Sequence, residues 1–377
     1  MNKKKSILVL TIIMLATMIS CNNKKEDEYS ENMTESFNNH YYVRMNDSII
    51  YRKGNTAMLL DCESMNSTFL CNVPNCSHTT SSCLLEMLKS DDQLPMIYNG
   101  AAYFFTNSNK LVEHDGKNAL ELSFSLKKYD FEACELSNVV SLDNFNVNSA
   151  GGCYLIGSEY YFTTNIGNPS YDELGNVISY NSGGGGNLLS INLESGKVTD
   201  YGQIFDYEAL KKEYPSVQNS LTMYLMGKIE NKLYIGINYI KNINNIENNL
   251  WSGQNFTFDI NTKKNEKLDD YFSMCTMNGY HTFYDNEQNK KISVQDVNTG
   301  EIYEGPDITS WNAMTIFDDK VWHDNSMCFD IKTGEEIKIS SNNDGIVIAE
   351  YNDSYIFMGS DEKGKTTFEK LSKSEIK

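Results

Sequence analysis

The sequence predicts an all-β chain, a β-propeller of about seven four-stranded blades, with six as the alternative count. Three observations carry this. A two-residue turn between strand-like pieces recurs seven times, beginning at 46, 99, 157, 230, 278, 318 and 352. A second turn follows most of them, reading Asp or Asn, a bulky residue, any residue, Ser or Thr, and often Gly. No long amphipathic helix interrupts the series.

The first twenty residues are an address rather than part of the fold. Lys3, Lys4 and Lys5 give a positive start, and residues 6–19 are almost wholly apolar. This is a secretory signal peptide, too short to cross a bilayer comfortably as a helix. It ends Met18-Ile19-Ser20-Cys21. Small Ser20 before Cys21 resembles the lipobox of bacterial lipoproteins. The resemblance implies that Cys21 is acylated, with palmitate among the chains, and becomes the mature N-terminus. Several acyl chains anchor a protein without a membrane span. Residues 21–39 are polar and acidic with no apolar period, which reads as a lipid-anchored flexible tether. The expected location is extracytoplasmic, at the cell membrane or outer membrane.

The formal charge is −19. Residues 1–20 carry three Lys and no acid, so their removal takes −19 to −22. Such a chain does not suit nucleic acid, whose binders are basic. A single closed ring needs no second copy, and a monomer is expected.

The repeat occupies residues 40–377. Asn99-Gly100, Asn278-Gly279, Asp318-Asp319 and Asn352-Asp353 are pairs that accept the positive φ of tight hairpins. The second turns include Asn192-Leu193-Glu194-Ser195-Gly196, Asp296-Val297-Asn298-Thr299-Gly300 and Asp330-Ile331-Lys332-Thr333-Gly334. Their Asp or Asn side chains bond local backbone, and Gly takes the left-handed position. Two hairpins per unit make four strands, and the shorter turn spacings near 40 match a propeller blade. Residues 206–214 read as one short helix between blades.

The Phe329-Asp330-Ile331-Lys332-Thr333-Gly334 type of turn resembles those of bacterial TolB-like and quinoprotein-like propellers. The Cys-rich stretch behind a lipobox is similar to propeller lipoproteins of anaerobic bacteria, a group without an established activity. The resemblance implies a propeller fold and an envelope setting. Quinoprotein activity does not carry over, because no regular Trp-docking motif accompanies Trp251, Trp311 and Trp322.

Nine Cys occur, and four of them lie in an insert at 62–83: Cys62, Cys71, Cys76 and Cys83, with His78 among them. Outside the cytoplasm, disulfides are the leading expectation for such a group, Cys62 included. The alternative is a metal site of Cys71, Cys76, His78 and Cys83, since thiolates and imidazole suit tetrahedral zinc. Cys134, Cys153, Cys275 and Cys328 lie on or beside strands and read as small hydrophobes. A Cys134–Cys153 bridge is a further option.

All seven first turns are short. The long stretches at 71–92, 107–120, 165–187, 203–220 and 238–253 extend the opposite face. Binding residues gather on loops that a rigid scaffold positions. Tyr171, Asp172, Tyr180, Tyr239 and Trp251 are the candidate ligand-binding residues there, aromatic rings being suited to sugar or peptide stacking. No H-E-x-x-H or G-x-S-x-G occurs, and Gly183–Gly186 lacks the Lys of a phosphate loop. His281 and His323 stand on equivalent second strands and read as packed residues. No catalytic residue is expected. The expected function is a membrane-anchored, non-enzymatic module that binds or scaffolds a peptide, glycan or envelope protein. The rival is a propeller hydrolase or lyase acting on polysaccharide.

Overall fold

In the computed structural model the described residues are 35–376, apart from 39–41, 46, 74, 80–82, 89–93, 115–116, 143–148, 166, 172–176, 183–185, 218–220, 242–250, 285–290, 308–313, 324–326, 340–344 and 362–363. Strand β1 (Glu35–Asn38) precedes the blades. Blade I is β2 (Tyr42–Arg44), β3 (Ser48–Lys53), β4 (Thr56–Asp61) and β5 (Ser67–Phe69). Blade II is β6 (Met96–Tyr98), β7 (Ala101–His114), β8 (Lys117–Asp130) and β9 (Glu135–Ser141). Blade III is β10 (Ser149–Ile156) and β11 (Glu159–Asn165), then an inserted hairpin β12 (Gly167–Tyr171) and β13 (Val177–Ser182), then β14 (Asn187–Asn192) and β15 (Val198–Gln203). Blade IV is β16 (Thr222–Ile229), β17 (Lys232–Ile240), β18 (Trp251–Asp259) and β19 (Lys264–Asp269). Blade V is β20 (Phe272–Met277), β21 (Tyr280–Tyr284), β22 (Lys291–Asp296) and β23 (Ile302–Asp307). Blade VI is β24 (Thr315–Phe317), β25 (Lys320–His323), β26 (Met327–Asp330) and β27 (Glu336–Lys338). Blade VII is β28 (Ile346–Tyr351), β29 (Ser354–Ser360) and β30 (Thr366–Ser372).

The seven-bladed propeller is therefore the fold, with every blade pairing antiparallel in chain order. Blade VII has three strands among the described residues rather than four. The last blade meets the first through apolar packing, where Ile348, Ala349 and Ile356 join Tyr42, Ile49, Tyr51 and Leu60 of blade I.

The turns explain the regularity. Within each blade the first and second strands (a and b) are joined by a tight turn, as are the third and fourth (c and d). Both positions of Asn99-Gly100, Asn278-Gly279 and Asp318-Asp319 have positive φ, as a type I′ hairpin requires. In the c–d turns, Asp259 Oδ1 accepts from the backbone N–H of Asn261 and Thr262, and Asp296 and Asp330 repeat the arrangement. Gly196, Gly300 and Gly334 close these turns with positive φ, whereas Lys263 and Cys134 hold the same conformation without being Gly. All these turns share one end of the ring, the turn face. The b–c connections and most blade-to-blade links share the other, the loop face.

Side chains between the blades form the core. Tyr51, Tyr129, Tyr160, Phe104, Phe258, Phe329 and Phe357 are fully buried. Burying a side chain of that size contributes about 1.5–3 kcal/mol. Gly227 permits the close approach of blades IV and V, since a Cβ there would meet the Thr276 carbonyl oxygen at 1.8 Å. The expected helix is present as Tyr207–Glu213, capped by Asp206, whose Oδ1 accepts from Ala209 N at 2.9 Å. No described helix is long and apolar enough to cross a membrane.

Two sequence expectations change form. Residues 107–120, read as a loop, continue β7 and β8 as a two-stranded ribbon, paired from Asn107–Phe124 out to His114–Lys117. Residues 35–38, read as the end of the tether, form β1, which pairs with β10 and touches β2.

Candidate metal centre and the loop face

The Cys-rich insert leaves β5 at the outer rim and reaches β6 at the ring's centre. Its apolar residues Leu84, Leu85, Leu88 and Leu94 enter the core shared by blades I, II and III. Asn72 Nδ2 donates to the Phe131 carbonyl in the c–d turn of blade II. Arg52 Nη1 of blade I donates to the Leu88 carbonyl at 3.1 Å. The insert is thus tied to both blades at the rim where they meet, not raised on the centre of the loop face.

Cys71, Cys76, His78 and Cys83 converge within it, their ligand atoms all within 4.8 Å of one another. Asn75 and His78 adopt positive φ, which folds the short loop back on itself. Cys76 N donates to the Val73 carbonyl at 3.3 Å and closes that turn. The His78 ring packs on Phe69 at 4.6 Å between centroids. Its Nδ1 lies 3.5 Å from Cys83 Sγ, and Cys83 Sγ lies 3.8 Å from Cys71 Sγ. A tetrahedral zinc with Zn–S near 2.3 Å and Zn–N near 2.0–2.1 Å separates its sulfurs by about 3.8 Å, and sulfur from nitrogen by about 3.5 Å. The two spacings agree. A disulfide needs about 2.05 Å.

The environment is graded. Cys71 and Cys83 are 4% and 1% exposed, while Cys76 and His78 are half-buried. Burial pushes the Cys71 thiol up to about 12. The His78 backbone N–H, 3.4 Å from Cys76 Sγ, holds the Cys76 thiol below its ordinary value. Four protein donors leave no open position, which is the arrangement of a structural site rather than a catalytic one. Among the described residues this is the one group of three or more His, Cys, Asp or Glu side chains arranged to hold a metal ion.

The disulfide expectation included Cys62. Cys62 does not belong to the cluster. It sits in the blade I–VII core, and its carbonyl accepts from Lys370 Nζ at 3.0 Å. All eight described Cys are unbridged, Cys134 and Cys153 included. Cys153 is buried on β10, whereas Cys134 is exposed in a c–d turn.

On the loop face, Tyr239 is corrected as a ligand contact. It is 3% exposed, with its ring 5.6 Å from that of Tyr214 in the core between blades III and IV. Tyr171 ends β12, Tyr180 lies in β13 opposite Pro169, and Trp251 opens β18 opposite Ile240. Asp172 lies outside the described residues. β13 stands beside β8, so the ribbon of blade II and the inserted hairpin of blade III rise together.

One group missed by sequence reasoning imitates a catalytic triad. Thr276 Oγ1 lies 2.8 Å from His281 Nδ1, and His281 Nε2 lies 3.7 Å from Asp269 Oδ2. Asn255 Nδ2 donates to Asp269 Oδ1 and, at 3.0 Å, to the Tyr271 carbonyl. His281 is 0% exposed and Thr276 is 2% exposed, so no substrate reaches them. Burial depresses the His281 pKa to about 4, so the imidazole is neutral and its approach to Asp269 is not an ion pair. The group braces blade IV against blade V. His281 itself gave a signal in the sequence, but Asn255 and Asp269 belong to the preceding blade and no spacing links them to it.

No family model matches the chain. No curated protein matches it either. Solved structures do. The β-propeller domain of the Trilobed protease from Pyrococcus furiosus matches at TM-score 0.43 and 10% identity, over 86% of this chain and 90% of that one. An oligogalacturonate lyase in complex with manganese matches at 0.40 and 11%, over 86% and 74%. TolB from Acinetobacter baumannii matches at 0.36 and 8%, over 92% and 66%. The chain is similar to these propellers in fold alone.

Proposed function

We propose that this chain is a lipid-anchored, extracytoplasmic propeller that acts as a monomer and without catalysis. It binds a peptide, glycan or envelope protein through its loop face, and its Cys3His cluster holds a structural zinc. One observation carries the binding role: the two faces are built differently. The turn face carries only short hairpin turns, while β7 and β8 run 14 residues each and outreach their blade beside the β12–β13 hairpin. The ribbon runs eight residue pairs past position 106, beyond the stretch of β8 that pairs with β9. The anchoring role rests on the sequence around Cys21.

The test compares the full chain with a variant in which Asn-Gly replaces residues 108–123, joining the paired Asn107 and Phe124 and so keeping Phe124 in the core. Both are carried on vesicles and presented to arrays of cell-wall glycans and peptides. Binding is expected to fall at least about tenfold on trimming while the melting temperature holds. Equal binding by the trimmed chain refutes the loop-face reading. Cleavage of an arrayed glycan favours the hydrolase or lyase instead. Radiolabelled palmitate is expected to enter the native chain and not Cys21→Ser.

A further inference from the structure

We infer that β1 sets how the molecule stands on a membrane, with the turn face toward the bilayer and the loop face away from it. This rests on the acylation of Cys21 proposed above. The argument starts from strand directions. The innermost strands β2 and β10 both run toward the turn face, because each leads into an a–b turn. β1 is antiparallel to both: Glu35 pairs with Ile156, and Asn38 pairs with Cys153 and Val43. β1 therefore enters the axial channel from the turn face and runs inward. Glu35, opposite Ile156, therefore stands at that face.

The innermost strands supply the reason for this path. Each turns one row of backbone N–H and C=O groups toward the channel, and such an edge accepts a further strand. β1 takes the edges of blades I and III in one nine-stranded sheet.

Tether length then fixes the orientation. Cys21 and Glu35 are 14 residues apart. Fully extended, that length spans about 50 Å, and as a flexible chain about 20 Å. To bring the loop face to the bilayer, the tether has to cross four strands about 4.8 Å apart. It then descends strands of six to eight residues at about 3.3 Å each, roughly 45 Å in all. The β7–β8 ribbon, eight residue pairs long beyond position 106, adds about 25 Å more. The tether cannot cover the sum. Towards the turn face it has slack.

Energy transfer from single donor dyes to an acceptor in the vesicle headgroups tests this on the full acylated chain. The donor is attached through p-azidophenylalanine, at Thr333 in a turn-face hairpin or at Glu113 in the ribbon. Transfer from Thr333 is expected to exceed that from Glu113 at least about twofold. Equal or reversed transfer overturns the orientation. Phe37→Pro breaks the pairing of β1 and is expected to bring the two signals together. A difference that survives this change overturns β1 as its cause. If the native chain fails to float with vesicles, as Cys21→Ser is expected to fail, the acylation reading falls and the orientation with it.

Discussion

His281 is held neutral between blades IV and V, and that has a measurable consequence. Its pKa is about 4 in the folded protein, against about 6.5 for an unfolded imidazole. The unfolded chain therefore takes up the proton first. Stability is intact above about pH 6.5, falls as pH drops toward 4, and levels off below. A gap of about 2.5 units bounds the loss at about 3 kcal/mol. Asp269 acts in the opposite sense, because burial raises its pKa and its protonation favours the folded state. Below pH 4 another set takes over. Asp61 is held low chiefly by the Ser64 hydroxyl, and Asp130 and Asp259 by backbone N–H groups of their turns. Their contribution is present above the ordinary carboxylate pKa and is lost as pH falls through the depressed values. Melting temperature between pH 7.5 and 3 is expected to drop in two steps. In His281→Gln the upper step is expected to vanish while the lower remains. An upper step that persists in the variant refutes the assignment.

The Cys-rich insert is the element on which sequence and structure diverge most usefully. Its ligands were legible as a group, but their pairing was not, because the choice between bond and coordination depends on ångström-scale spacing. The loop 71–83 brings these residues together through the positive φ at Asn75 and His78, of which only Asn is a residue type that advertises it. The hairpin turns were legible because Asn, Asp and Gly are used there for their backbone freedom. The ribbon was not, since the polar run Thr106-Asn107-Ser108-Asn109-Lys110 lacks the apolar alternation of a half-buried strand. For the insert, about one zinc per chain is expected from metal-replete cells, and none in a His78→Ala, Cys76→Ser chain. Loss of a structural zinc from an insert that is tied to two blades is expected to lower the melting temperature by about 5 °C or more. A metal-free native chain with one titratable thiol among Cys71, Cys76 and Cys83 rather than three would identify a disulfide pair instead.

At the scale of the ring, the weak point is the seam between blades VII and I. In chain order these blades are the ends, so their contacts close the longest loop in the molecule. Blade VII has three strands among the described residues, and no strand of blade I pairs with it. What holds them is side-chain contact: the Tyr51 and Phe368 rings meet at 4.5 Å, and Lys370 Nζ donates to the Cys62 carbonyl at 3.0 Å. Seven blades were legible from seven turns, but the form of closure was not, because it depends on residues some 300 apart. Ile348 is fully buried at this seam, and Val294 is fully buried between blades V and VI. Ile348→Ala is expected to cost about 2–4 kcal/mol, most of it as a cavity at the seam. Hydrogen exchange then discriminates. In Ile348→Ala the amides of blades I and VII are expected to exchange faster while those of blades IV and V keep native protection, because local openings begin where contacts are fewest. Val294→Ala is expected to loosen blades V and VI and leave the seam unchanged. Uniform acceleration across all blades in Ile348→Ala would mean that the ring opens as one cooperative unit, with no seam to open first.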